Sequence, residues 1–97
     1  FDVLLTPVIA EPPPKLGELR DPELGTKRIR ELLLFTVQFN VSGQPAISLP
    51  MHTSSNGLPV GVQLVAAMHQ ESSLLRLSHQ LESASSWHNR KPPLYAA

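Results

Sequence analysis

The residues able to do chemistry in this 97-residue chain are few and poorly grouped. Its four histidines, His52, His69, His79 and His88, never stand three or four positions apart, the spacing by which one helix presents two imidazoles to a metal ion. With no cysteine there is no thiolate ligand, no disulfide and no thiol nucleophile. No metal and no cofactor are expected. Serine occurs in pairs, Ser54-Ser55, Ser72-Ser73 and Ser85-Ser86, but no G-x-S-x-G elbow surrounds any of them, and Ser42 has glycine on one side only. Turn and cap roles explain them. Lys15, Lys27 and Lys91 fall in a loop, a helix start and the tail, where solvent holds an ammonium pKa high, so none suits a general base. Neither G-x-G-x-x-G nor G-x-x-x-x-G-K occurs, so nothing cradles a phosphate. Asn40-Val41-Ser42 fits a glycosylation acceptor, but it closes an apolar helix and is read as structural.

Composition narrows the field further. Eight basic residues balance eight acidic ones, and aromatic residues make up 5% of the chain, so there is neither the positive surface nor the stacking area that nucleic acid requires. Apolar runs such as residues 32–35 fall far short of the roughly 20 residues that cross a bilayer. The absence of cysteine leans mildly towards a cytoplasmic setting.

The elements that must position these residues follow from pattern and punctuation. Asp2-Val3-Leu4-Leu5-Thr6-Pro7 reads as a buried strand that follows Phe1 with no turn or cap, as expected of a piece of a longer polypeptide. Residues 8–26, with Pro12-Pro13-Pro14, Pro22, Gly17 and Gly25, read as a long surface loop. A helix is predicted over about 26–40, capped by Thr26. Ile29, Leu33, Thr36 and Val37 share one face, and Leu32, Leu34, Phe35 and Phe39 wrap the rest, so its second half should be covered nearly all round. Ser42-Gly43-Gln44-Pro45 stops it. Residues 46–51 form a strand between two prolines, and Ser54-Ser55-Asn56-Gly57 turns it into a second strand over 58–65, with Asn56-Gly57 suited to positive φ. Glu71 opens an amphipathic helix to about Ser85 with Leu74, Leu77, Leu81 and Ala84 on its core face, and Trp87 anchors a tail stopped by Pro92-Pro93. The class is α/β, in the order strand, loop, helix, β-hairpin, helix, with a sheet that continues in residues outside the chain.

One joined string of residues is more specific than any short motif. Asp2 to Pro7, then Asn40, Gly43, Pro45 and Ala46, then Pro50, then Gly57, Leu58, Pro59, Gly61 and Gln63, then Glu71, Leu74, Leu81 and Trp87 come in an order and spacing that resemble the C-terminal portion of the amidase signature family. The resemblance runs from Phe1 to about Pro93. It implies a large mixed β-sheet flanked by helices, and it implies that residues 1–97 are the C-terminal segment of a single larger amidase domain. The implied activity is hydrolysis of a carboxamide to an acid and ammonia or an amine by a Ser, cis-Ser, Lys triad through an acyl-enzyme. That triad belongs to a Gly/Ser-rich core upstream, so no catalytic residue is expected here and the segment alone should be inactive.

What the resemblance assigns to this chain is substrate shape. Arg30, Leu33 and Val37 match positions on a helix that lines the acyl side of the cavity, and they are expected to share a face; His69 matches a loop that approaches the same cavity. Leu33 and Val37 suit an apolar acyl group, and Arg30 suits a carboxylate at the far end of the substrate. The competing reading makes Leu33 and Val37 ordinary core and Arg30 a solvated charge. Asn40, Gly43, Pro45, Pro50 and Gly57 match the motif too, but helix termination, a tight turn and strand ends account for them. The expected partners are a small amide substrate and the remainder of the same polypeptide, and a homodimer is compatible; nucleic acid and a membrane span are not expected. Two alternatives stand beside this reading. One is a component of a glutamine-dependent amidotransferase, disfavoured because such subunits tend to carry an acidic residue near the place of Leu33. The other is a small, non-catalytic α/β interaction module.

Overall fold

The computed structural model describes residues 1–94. Three strands, β1 (Val3–Pro7), β2 (Ala46–Thr53) and β3 (Pro59–Ala66), form one antiparallel sheet in the order β1-β3-β2. β3 is therefore the central strand, with Leu5 and Ile47 both paired to Leu64. Side chains alternate across a strand, so this register puts Val3, Leu5, Ile47, Leu49, Val62, Leu64 and Ala66 on one face, and Leu4, Thr6, Ala46, Ser48, Gln63 and Val65 on the other. The pairing of β2 slips between Leu49 and His52, where Pro50 has no N–H to give to a ladder.

The hairpin turns as the sequence suggests, with one difference. Gly57 N–H donates to Ser54 O at 2.9 Å, Ser54 N–H donates to Leu58 O at 2.8 Å, and the Ser54 hydroxyl accepts from Leu58 N–H at 3.1 Å. This is a three-residue loop in which only Gly57, at φ +80°, takes the left-handed conformation; Asn56 does not. The loop is one residue longer than a two-residue turn, and that extra residue lets a type I bend precede the left-handed glycine.

The first sheet face is packed by α3 (Glu71–Ala84). Leu49, Leu64, Ala66 and Leu74 are buried together, with Val3, Ile47, Met51, Leu77, Leu81 and Trp87 partly buried against them. The helix expected over 71–85 is thus present with Leu74, Leu77 and Leu81 inward; Ala84, its last residue, is exposed. Trp87 sits in a one-turn 3-10 helix (Trp87–Asn89) that follows α3.

The helix expected over 26–40 is two helices, α1 (Gly25–Leu33) and α2 (Val37–Ser42). Phe35, Thr36, Val37 and Phe39 are poor helix formers, which weakens the middle of the run. There the hydrogen bonds tighten to i→i−3, Leu34 N to Glu31 O at 3.5 Å and Thr36 N to Leu33 O at 3.1 Å, before α2 restarts. Thr26 does not cap α1. Asp21, four residues before Gly25, takes that role, its Oδ1 accepting from Glu23 N–H and Leu24 N–H, both at 2.8 Å, ahead of the first turn. Among the described residues nothing covers Leu33, Leu34, Val37 and Val41 fully, and all four are exposed. Gly43 closes α2 with its N–H on Phe39 O at 2.9 Å.

Among the described residues the core is small for the chain's length. Five apolar residues are buried, whereas sixteen large apolar ones are exposed. The radius of gyration is 15.6 Å, against about 13 Å for a compact domain of 100 residues. Both facts mark apolar faces with no cover among the described residues.

The hairpin yields a direct test. Gly57→Val forces a β-branched residue to φ +80° and should destabilise the full-length protein by about 1 kcal/mol or more in denaturant titration; a neutral result would show that the loop accepts another conformation.

Candidate functional site

The α1–α2 segment carries three of the four residues singled out in the sequence, and two polar anchors hold it. The first is Arg28. Its Nη1 donates to Glu31 Oε2 at 2.6 Å and its Nη2 to Pro12 O at 3.1 Å, while its Nε lies 2.8 Å from Glu18 Oε1 but off the N–H axis, an ion pair more than a hydrogen bond. These contacts tie the proline loop, a 3-10 turn (Glu18–Arg20) and α1 together. The hydrogen bond to Glu31, and to a lesser degree the charge of Glu18, raise the guanidinium pKa further.

The second anchor is Gln63, on the sheet face away from α3. Its Nε2 donates to Phe35 O at 2.7 Å and to Thr6 Oγ1 at 3.0 Å. Behind α2, Gln44 Nε2 donates to Ala66 O at 3.2 Å and fixes the return of the chain to the sheet. Between α2 and the sheet lies a cleft of about 370 Å³, with Thr36, Phe39, Asn40, Ser48 and Gln63 in its walls.

Arg30 is exposed in the last turn of α1, and Leu33 ends that helix. Val37 opens α2, so the three do not share a face of one continuous helix; the interruption at 34–36 separates Val37 from the others. Leu33 and Val37 are 46% and 44% exposed, so within the described residues neither is core. His69 sits in the turn between β3 and α3 at φ +64°, a left-handed conformation that histidine adopts more readily than most residues. Its neighbour Met68 reaches the C-terminal end of α2, with Cε 3.8 Å from where a β-carbon on Gly43 would stand. None of the four lines the cleft beneath α2. The described residues hold no group of three or more histidine, cysteine or acidic side chains placed for a metal ion, and no helix among them is long and apolar enough to cross a membrane.

Sequence reasoning missed both anchors as such. A glutamine between Val62 and Leu64 of a central strand is itself a signal, because a buried amide needs hydrogen-bond partners. Which partner it takes is set by the fold.

An amidase family model matches residues 1–75, more than three quarters of the chain. The chain belongs to the amidase family. A 6-aminohexanoate-cyclic-dimer hydrolase from Pseudomonas sp. (strain NK87) is 45% identical over 104 residues, covering 97% of this chain and 21% of that protein. A solved structure of 6-aminohexanoate cyclic dimer hydrolase superposes with a TM-score of 0.83 at 44% identity, again over 97% of this chain and 21% of the other. A glutamyl-tRNA(Gln) amidotransferase subunit from Synechococcus sp. (strain JA-3-3Ab) is 39% identical, over 96% of this chain and 17% of that protein. The chain thus spans about a fifth of the length of the curated relatives it matches. The α/β class and the amidase fold expected from the sequence agree with these matches.

The start of α1 should respond to pH with a defined sign. The N–H bonds from Leu24 and Glu23 lower the Asp21 pKa, so its contribution is complete above the unfolded-state value near 3.9 and fades as pH falls through the lower folded value. Asp21→Ala should therefore speed amide exchange at residues 23–26 near neutral pH, with the difference from wild type shrinking as acid protonates the Asp21 carboxylate; a difference undiminished by acid would assign the effect to something other than the carboxylate.

Proposed function

We propose that residues 1–97 are one segment of a single larger amidase domain, which hydrolyses a carboxamide to an acid and ammonia or an amine. The observation that carries the reading is the amidase family match over residues 1–75, joined by 45% identity to a 6-aminohexanoate-cyclic-dimer hydrolase across 97% of the chain and a superposition on such a hydrolase at TM-score 0.83. The chemistry the family implies needs a serine Oγ to attack the carboxamide carbon, a lysine acting through a second serine to take that proton and deliver it to the departing nitrogen, and water to cleave the acyl-serine ester. Those groups belong to the upstream part of the polypeptide. The role of this segment is to complete the sheet and to line the acyl side of the cavity.

Leu33 and Val37 are the residues we assign to that lining, with Arg30 towards a terminal carboxylate and His69 on a loop that approaches the same cavity. Support comes from their exposure, since apolar side chains left half open on a segment tied down by Arg28 and Gln63 are available to something outside the chain. An apolar pocket wall suits amides of alkanoic or aminoalkanoic acids, in keeping with the 6-aminohexanoate cyclic dimer named for the 45% identical hydrolase. The amidotransferase reading is supported less, because that relative is 39% identical and Leu33 offers no charge to a substrate ammonium. A self-contained interaction module is supported least, given the small core and the exposed apolar faces.

In the full-length protein, Leu33→Asp should lower kcat/KM for apolar carboxamides by about 100-fold or more while the fold is retained, since it places a carboxylate against hydrocarbon. Unchanged kinetics would remove Leu33 from the site. Arg30→Gln should raise KM selectively for substrates that end in a carboxylate, and an equal effect on substrates without one would show that Arg30 does not meet that group.

A further inference from the structure

Gln63 is a polar side chain only 6% exposed in the middle of the central strand. Its reach to Phe35 links positions 28 residues apart in sequence. A carbonyl oxygen can only accept, so the group that faces Phe35 O must be the amide NH2, and the orientation of Gln63 is fixed by chemistry. The same nitrogen meets Thr6 Oγ1, whose hydroxyl donates onward to Pro7 O at 2.9 Å. The donors and acceptors are therefore matched along the whole chain of contacts.

What makes the Phe35 carbonyl special is the interruption it lies in. In a continuous helix it would accept from Phe39 N–H, four residues on. Here Phe39 N–H turns to Thr36 O at 3.2 Å, and Asn40 N–H meets the same oxygen at 3.3 Å. The carbonyl released by the interruption is the one that Gln63 takes up. A continuous helix would also stack Val37 one turn beyond Leu33 on a single face, whereas the interruption displaces one from the other.

We propose that Gln63 is the positioning residue of the candidate acyl site: by holding Phe35 O it keeps α1 and α2 as separate segments and so sets where Leu33, two residues before, and Val37, two residues after, meet the acyl chain. This rests on the reading of Leu33 and Val37 as acyl-facing. Gln63 touches no substrate; it decides which acyl length fits.

The test uses the full-length protein with three variants. Gln63→Met keeps the length and removes the donor; Gln63→Glu keeps the shape and makes the donor depend on protonation; Thr6→Val removes the other partner and spares the bond to Phe35. Two readouts are taken, amide hydrogen exchange across residues 34–40 and KM against kcat over straight-chain carboxamides of increasing acyl length. For Gln63→Met, exchange should rise at 34–40 while global unfolding stays cooperative, and KM should rise roughly five- to tenfold for the preferred acyl length with kcat little changed, so that length selectivity flattens. Gln63→Glu should show the same defect near neutral pH and recover part of the lost selectivity in acid, where the neutral carboxyl donates to Phe35 O; both partners of the side chain are uncharged, and among the described residues the cleft beside it is walled by uncharged side chains. Thr6→Val should leave exchange at 34–40 close to wild type.

Unchanged exchange at 34–40 in Gln63→Met, or kcat and KM altered alike for every acyl length, would overturn the proposal. Should Gln63→Met fail to fold, Gln63→Glu decides alone: selectivity that does not recover in acid overturns it. If exchange rises at 34–40 but the wild-type protein cleaves no carboxamide, the hold on Phe35 is supported and the amidase reading is the one that falls.

Discussion

The central strand is the constraint on which the other elements depend. β3 is paired along both edges, by β1 and β2, and its two faces meet different halves of the chain. On one face Leu64 and Ala66 receive Leu74 of α3, burial worth about 25 cal/mol per Å² of apolar surface. On the other, Gln63 crosses to the junction of α1 and α2. Each such hydrogen bond contributes about 1 kcal/mol net, but leaving the buried amide or the freed carbonyl unpaired costs more. The exposed helical segment is thus tied to the best-buried part of the sheet by a polar contact.

How much of this was legible in the sequence depends on the range of the interaction. The hairpin and β2 were readable because Pro45, Pro50 and Ser54-Ser55-Asn56-Gly57 punctuate a period of two within a few residues. The α3 face was readable from Leu74, Leu77 and Leu81 for the same local reason. The interruption at 34–36 was not, because propensity alone leaves residues 26–40 marginal and the deciding partner is a glutamine in a distant strand. The start of α1 was misplaced by a related fault: Thr26 is a good cap in isolation, but Asp21 reaches Glu23 and Leu24 first.

The expectation of a helix covered on nearly all sides calls for a core larger than this chain holds. Apolar residues on every side imply cover, and the pattern at 32–39 is real, yet the cover for Leu33, Leu34 and Val37 is not among the described residues. In a chain that spans about a fifth of its relatives' length, exposed apolar surface has two destinations, the rest of a domain core or a substrate. Leu34 faces that choice as much as Leu33 does, and spacing cannot separate them. In our proposal the anchored junction does, by fixing which of these side chains opens on the cavity.

The most direct measurement is a structure of the full-length protein with an apolar carboxamide analogue held in its acyl cavity. Leu33 and Val37 should lie within about 4 Å of the acyl carbons, with Gln63 still bonded to the Phe35 carbonyl and out of reach of the ligand. Leu33 and Val37 packed instead beneath an upstream helix, with the acyl chain enclosed entirely by other residues, would contradict that placement.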